Sequence, residues 1–188
     1  MPPINRFPLP LSSHQRPPTP SVMTQRRAEP EEIRATIEEF LTFVDAPPSH
    51  PTQLERGLMQ RLDRLALLVS ELDPQTLEAA DFESDMERLP HERVKKYVDE
   101  RFAVLGFYST FKPGEDENGQ PKTALGDAVE DLTDLLLDLS EVVQIFKRYG
   151  TAAGLIQFYE LYWVNWGRDL RDLQRLLYDR LQQRHFGD

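Results

Sequence analysis

Residues 124–150 read ALGDAVEDLTDLLLDLSEVVQIFKRYG, and the reading of this stretch decides the fold. Leu125, Val129, Leu132, Leu136, Leu139, Val143 and Phe146 recur every three or four residues, the pattern of a helix with one apolar face. The phasing predicts a start at Thr123 or its neighbour. Lys147 and Arg148 suit the negative helix end, and Gly150 can supply a left-handed cap. Asp127, Asp131, Asp134 and Asp138 follow the spacing i, i+4, i+7, i+11. At about 100° per residue they share about 60° of arc, beside the leucine face rather than within it.

Beyond Gly150 the pattern predicts one last helix from about Ala152 to Gln183. Tyr159, Tyr162, Trp163, Trp166, Leu170, Leu173, Leu177 and Leu181 are its inward residues. A connector this short makes the two helices antiparallel neighbours. Folded about Gly150, the hairpin would pair Asp134 with Arg168, Asp131 with Arg171 and Asp127 with Arg175. Exposed pairs contribute only about 0–1 kcal/mol each, so their expected role is to set the register. Gly167 costs about 1 kcal/mol inside a helix. Its presence implies close packing against another helix or a ligand.

Upstream, Pro30 occupies a favoured first helical position, with Glu31 and Glu32 at the positive end. Ile33, Ile37, Phe40, Leu41 and Val44 form the apolar face, and Pro47-Pro48 stops it. Thr52 is read as the cap of a second helix carrying Leu54, Leu58, Leu62, Leu65, Val69 and Leu72. Residues 75–89 are ambiguous. Pro90 opens a third helix with Val94, Tyr97, Val98, Phe102 and Leu105 on one side, and Lys112 to Pro121 is a loop. No period-2 strand pattern stands out. The expectation is all-α: a helical bundle of about five helices with a long C-terminal antiparallel helix hairpin.

The first 28 residues are of another kind. Seven of the fifteen prolines fall in the first 22 residues, and the first acid is Glu29. Such a segment cannot bury enough surface to offset its ordering entropy. Residues 1–28 are therefore read as a disordered tail and 29–184 as a single helical-bundle domain. The prolines forbid the amphipathic helix of a transit peptide, and no apolar core of a secretory signal exists. Met23 fits a true start, with the preceding residues an over-extended reading frame. Pro17-Pro18-Thr19-Pro20 is a short polyproline-like match of low specificity.

Composition narrows function. Net charge is −10, from 32 Asp+Glu against 22 Lys+Arg, which disfavours a phosphate backbone as partner. There is no cysteine, so thiol catalysis and thiolate metal sites are excluded. No apolar run approaches the ~20 residues of a membrane span. The expectation is a soluble, cytoplasmic protein that binds neither nucleic acid nor membrane.

Chemistry-bearing motifs are sparse. Paired carboxylates on a helix can chelate a divalent ion, but dimetal bundles also use Glu-x-x-His, and this chain has none. Its histidines, His14, His50, His91 and His185, fall in loops, at a helix start or near the ends, and His91-Glu92 reads as a surface pair. Aligning Gly119 to the sixth position of a calcium loop puts Leu125 where a bidentate Glu is required, so that reading fails.

Gly126-Asp127-Ala128-Val129-Glu130-Asp131-Leu132-Thr133-Asp134, followed by Trp166-Gly167-Arg168 and preceded by the aromatic stretch Tyr108 to Pro113, resembles a known pattern. The pattern is that of a bacterial family called domain of unknown function 5063. Its members resemble this chain over most of residues 30–182, with a Gly-Asp-x-x-x-Asp-x-x-Asp helix and a last helix bearing His-Trp-Gly-x-His. The resemblance implies a compact helical bundle and no established activity. Asn165 and Asp169 stand at the two histidine positions here, which removes whatever those histidines would do.

These readings converge on a non-catalytic protein-interaction module with a protein partner and no cofactor. The alternative is a bundle binding a divalent metal or small ligand between the last two helices, through Asp131, Asp134, Trp166 and Arg168; no metal-ligand set is assigned.

Overall fold

The computed structural model describes residues 27–77, 88–115 and 117–186. The proline-rich tail before Arg27 lies outside them, as does most of the ambiguous 75–89 segment. Helix α1 (Pro30–Asp45) begins with Pro30 in its first turn, and Ile33, Ile37, Phe40 and Val44 are fully buried. Helix α2 (Pro51–Glu71) buries Leu54, Leu58, Leu62, Leu65 and Val69. His50 precedes it as N-cap, and Thr52 does not cap: its hydroxyl accepts from Arg184 at 3.0 Å instead. Helix α3 (His91–Phe102) follows Pro90, with Val94, Val98 and Phe102 inward.

Between α3 and the aspartate helix lies an element the periodicity did not predict. Strand β1 (Phe107–Glu115) pairs antiparallel with β2 (Pro121–Asp127), from Phe107 opposite Asp127 to Glu115 opposite Pro121, with a bulge after Phe111. The chain enters β1 through Gly106 at φ +56°, a conformation glycine adopts without a Cβ penalty. Aromatic and β-branched residues at 107–111 favour extension, and the polar Gly/Pro stretch that follows closes the hairpin. Consequently helix α4 (Ala128–Tyr149) starts at Ala128, not Thr123, capped by Asp127. Leu125, expected in the core, is an exposed strand residue.

Helix α4 is the central member, touching α1, α3 and both C-terminal helices. Gly150, at φ +89°, reverses the chain into α5 (Thr151–Leu161). The hairpin is tight because a Cβ on Gly154 would fall within 3.0 Å of the Phe146 ring. The expected single last helix is present with one interruption. A π-helical turn (Tyr162–Trp166) separates α5 from α6 (Gly167–Phe186). Buried residues of all six helices join one apolar cluster. The structure is helical in architecture, with the β-hairpin as a minor addition. No helix among the described residues is long and apolar enough to cross a membrane.

Candidate functional site

The aspartates do not form a shared stripe of ion pairs. Asp127 accepts from the Val129 amide at 3.0 Å and lies 3.8 Å from the Lys95 ammonium. Asp131 accepts from the Tyr108 hydroxyl. Asp134 lies 3.4 Å from His91 Nε2, and Asp138 lies 3.2 Å from Arg88. The arginines are spent elsewhere. Arg168 donates to Asp169 at 3.2 Å, Arg171 donates to the Tyr162 hydroxyl at 2.9 Å, and Arg175 donates to the Ser109 carbonyl at 2.6 Å.

None of the three expected pairs, Asp134–Arg168, Asp131–Arg171 and Asp127–Arg175, forms a salt bridge. The reason is twofold. Helix α6 turns Leu170, Leu173 and Asp169 toward the interior and leaves Arg168 and Arg171 exposed. Strand β1 then lies over the seam, where Tyr108 takes Asp131 and Thr110 donates to Asp172 at 3.0 Å.

A cleft of about 660 Å³ opens beside this seam, between the segment leading into α3, helix α4 and the π turn. Two buried carboxylates, Asp138 and Asp169, form its floor, and Asp134 and His91 line its side. Burial pushes Asp138 up to about 6, against the opposing pull of Arg88 and Asn165. Burial also raises Asp169, opposed by Arg168. Next to the cleft, burial pushes Asp131 up to about 7, and it raises Tyr108 as well. The floor therefore resists deprotonation except where a cation is at hand.

The cations that meet these carboxylates are exposed. Arg88 contacts Asp138 and Glu141, and Arg168 contacts Asp169, yet the two side chains are 52% and 83% exposed while their buried aspartates are 5% and 6% exposed. The carboxylates are buried, and the guanidinium groups that meet them reach water.

The lip is set by the π turn. In a regular helix residues three apart share a face, so Trp163 and Trp166 would both point inward. The wider turn separates them: Trp166 is fully buried against Phe158 and Tyr162, whereas Trp163 and Val164 are 66% and 72% exposed at the cleft. Gly167 makes the turn possible, because a Cβ there would fall within 3.0 Å of the Tyr162 carbonyl oxygen. The close approach expected at Gly167 is real, but it comes from its own helix. Such turns are frequent at functional sites.

Of the four expected site residues, Asp134 and Arg168 line the cleft, Asp131 lies under β1, and Trp166 belongs to the core. Sequence reasoning missed Arg88, His91, Asp138, Trp163, Asn165 and Asp169. Asp138 carried a signal as the fourth of the regularly spaced aspartates, and Asn165 and Asp169 as the two departures from the family pattern. All three line the cleft.

The fold is similar to that of protein BF1032 from Bacteroides fragilis, known from a crystal structure. The TM-score is 0.52 at 19% identity, over 79% of this chain and 89% of that chain. No curated protein matches the chain. A model of the family described as Domain of unknown function (DUF5063) matches residues 25–183, which takes in every helix but the last few residues of α6. By that match, and with the helical fold to go with it, the chain belongs to the DUF5063 family.

Proposed function

We propose that the chain is a non-catalytic protein-interaction module whose cleft receives a basic side chain of a partner protein. The observation that supports this is the pairing of an exposed apolar lip with a buried carboxylate floor. Trp163, Val164 and Leu89 stand 66%, 72% and 53% exposed around Asp138 and Asp169. An arriving guanidinium or ammonium group displaces Arg88 or Arg168 from carboxylates that are already in place. Tryptophan beside a desolvated charge is the usual composition of a binding hot spot.

The reading is tested by probing an array of short peptides of graded Lys/Arg content with the purified chain. Basic peptides with an apolar neighbour should bind, and Trp163→Ala or Asp138→Asn should weaken binding at least about tenfold, the scale of a hot-spot contact. Equal binding of acidic peptides, or no response to either substitution, would count against it. Binding of free arginine as tightly as any peptide would favour a small-ligand cleft instead.

A further inference from the structure

We propose that His91, Glu130 and Asp134 form a divalent transition-metal site at the junction of α3 and α4. His91 is the first residue of α3, while Glu130 and Asp134 lie four apart on α4 and so share a face. His91 Nε2 is 3.2 Å from Glu130 Oε1 and 3.4 Å from Asp134 Oδ1. One ligand atom from each residue lies within 4.8 Å of the other two. Tetrahedral ligands at about 2.0–2.1 Å from zinc are separated by about 3.3–3.4 Å. The two nitrogen-to-oxygen distances match that edge, and the two carboxylate oxygens lie within 4.8 Å of each other, so side-chain adjustment alone brings the three ligands to one ion.

The surroundings leave the ligand atoms available. Lys95 contacts Glu130 through Oε2, leaving Oε1 toward the histidine, an outer contact of the kind that orients a metal ligand. The three side chains are 37%, 37% and 45% exposed, which gives an entry path. His91 and Asp134 also line the cleft, so a fourth position faces it. One imidazole and two carboxylates suit zinc, cobalt, nickel or manganese, whereas magnesium and calcium prefer oxygen alone. The site shares the cleft wall with the basic-side-chain reading but uses other carboxylates, because that reading rests on the floor of Asp138 and Asp169.

The test is calorimetric titration of the untagged full-length chain with zinc, manganese and magnesium salts. Zinc should bind one to one and more tightly than magnesium. His91→Ala and Asp134→Asn should each weaken zinc at least tenfold, with circular dichroism confirming that both variants stay folded. Lys95→Gln should keep binding within tenfold. The remaining histidines, His14, His50 and His185, provide the contrary outcome. Zinc that binds His91→Ala as tightly as the parent is held elsewhere and overturns the proposal, as does the absence of saturable zinc binding. Peptide binding that survives such a failure leaves the cleft reading standing.

Discussion

The Tyr108 hydroxyl donates to the Asp131 carboxylate, joining strand β1 to helix α4 across a partly buried seam. This bond ties the hairpin to the bundle and takes the aspartate that a two-helix reading would give to an arginine. Its energetics depend on pH. Burial raises Asp131 from the ordinary 3.8 to about 7, so between those values the folded chain holds a proton the unfolded chain has released.

Stability should therefore fall as pH rises from about 4 to 7 and level off above. Asp131→Asn, which cannot ionise, should show a clearly flatter decline in melting temperature over this window, with Asp138 accounting for a residual slope below about 6. Tyr108→Phe should cost about 1.5–3 kcal/mol above pH 8, where the carboxylate loses a hydrogen bond made to a charged group. Thermal melts at pH 4.5, 6, 7.5 and 9 decide both; parallel profiles for parent and Asp131→Asn would refute the assignment.

Gly167→Ala should be far more damaging than an ordinary helical Gly-to-Ala change, which is stabilising. The added methyl cannot coexist with the Tyr162 carbonyl of the π turn. The expected loss is about 1–3 kcal/mol, the range for overpacking. It should come with altered near-UV dichroism as Trp163 and Trp166 reorient. Increased stability with an unchanged spectrum would argue for a regular helix at 162–166.

Glu55 is fully buried on α2, where one carboxylate oxygen takes both Arg180 at 3.3 Å and Arg184 at 2.9 Å. Arg180 also donates to the carbonyls of Val104 at 2.9 Å and Leu105 at 2.5 Å. Arg180→Met leaves a buried carboxylate with a single partner and should cost about 3 kcal/mol, as breaking buried pairs does. Glu55→Met should cost less, because both arginines can reach water. Denaturant melts of the two variants give the order directly; the reverse order would contradict this account.

Leu125 and Leu132 share the helical spacing of the sequence but not its consequence. Leu125 is 73% exposed and Leu132 fully buried. Leu132→Ala should lose about 2–5 kcal/mol, and Leu125→Ala should change stability by no more than about 0.5 kcal/mol. Comparable losses in denaturant unfolding would place Leu125 in the core and remove the strand.

Much of the fold was legible because burial leaves a periodic record. Ile33, Ile37, Phe40 and Val44 in α1, and Leu132, Leu139 and Val143 in α4, follow the helical period and are buried as it requires. The hairpin was not legible. Thr123, Ala124 and Leu125 continue the helix phase by chance, and the alternation in β1 is short. The site was less legible still. Trp163 left the core through a π turn, and His91 met Glu130 and Asp134 rather than its neighbour Glu92, because α3 packs on α4.

The sequence by itself determined the helices, their apolar faces, the reversal at Gly150 and the family pattern, since each rests on neighbours a few residues apart. Only the tertiary structure decided the partners of the aspartates. A hydrogen bond or ion pair is satisfied within about 3 Å, and the partners of Asp131 and Asp138 came from β1, from the segment before α3 and from the π turn. Their placement follows from the packing of the whole core, which no local spacing encodes.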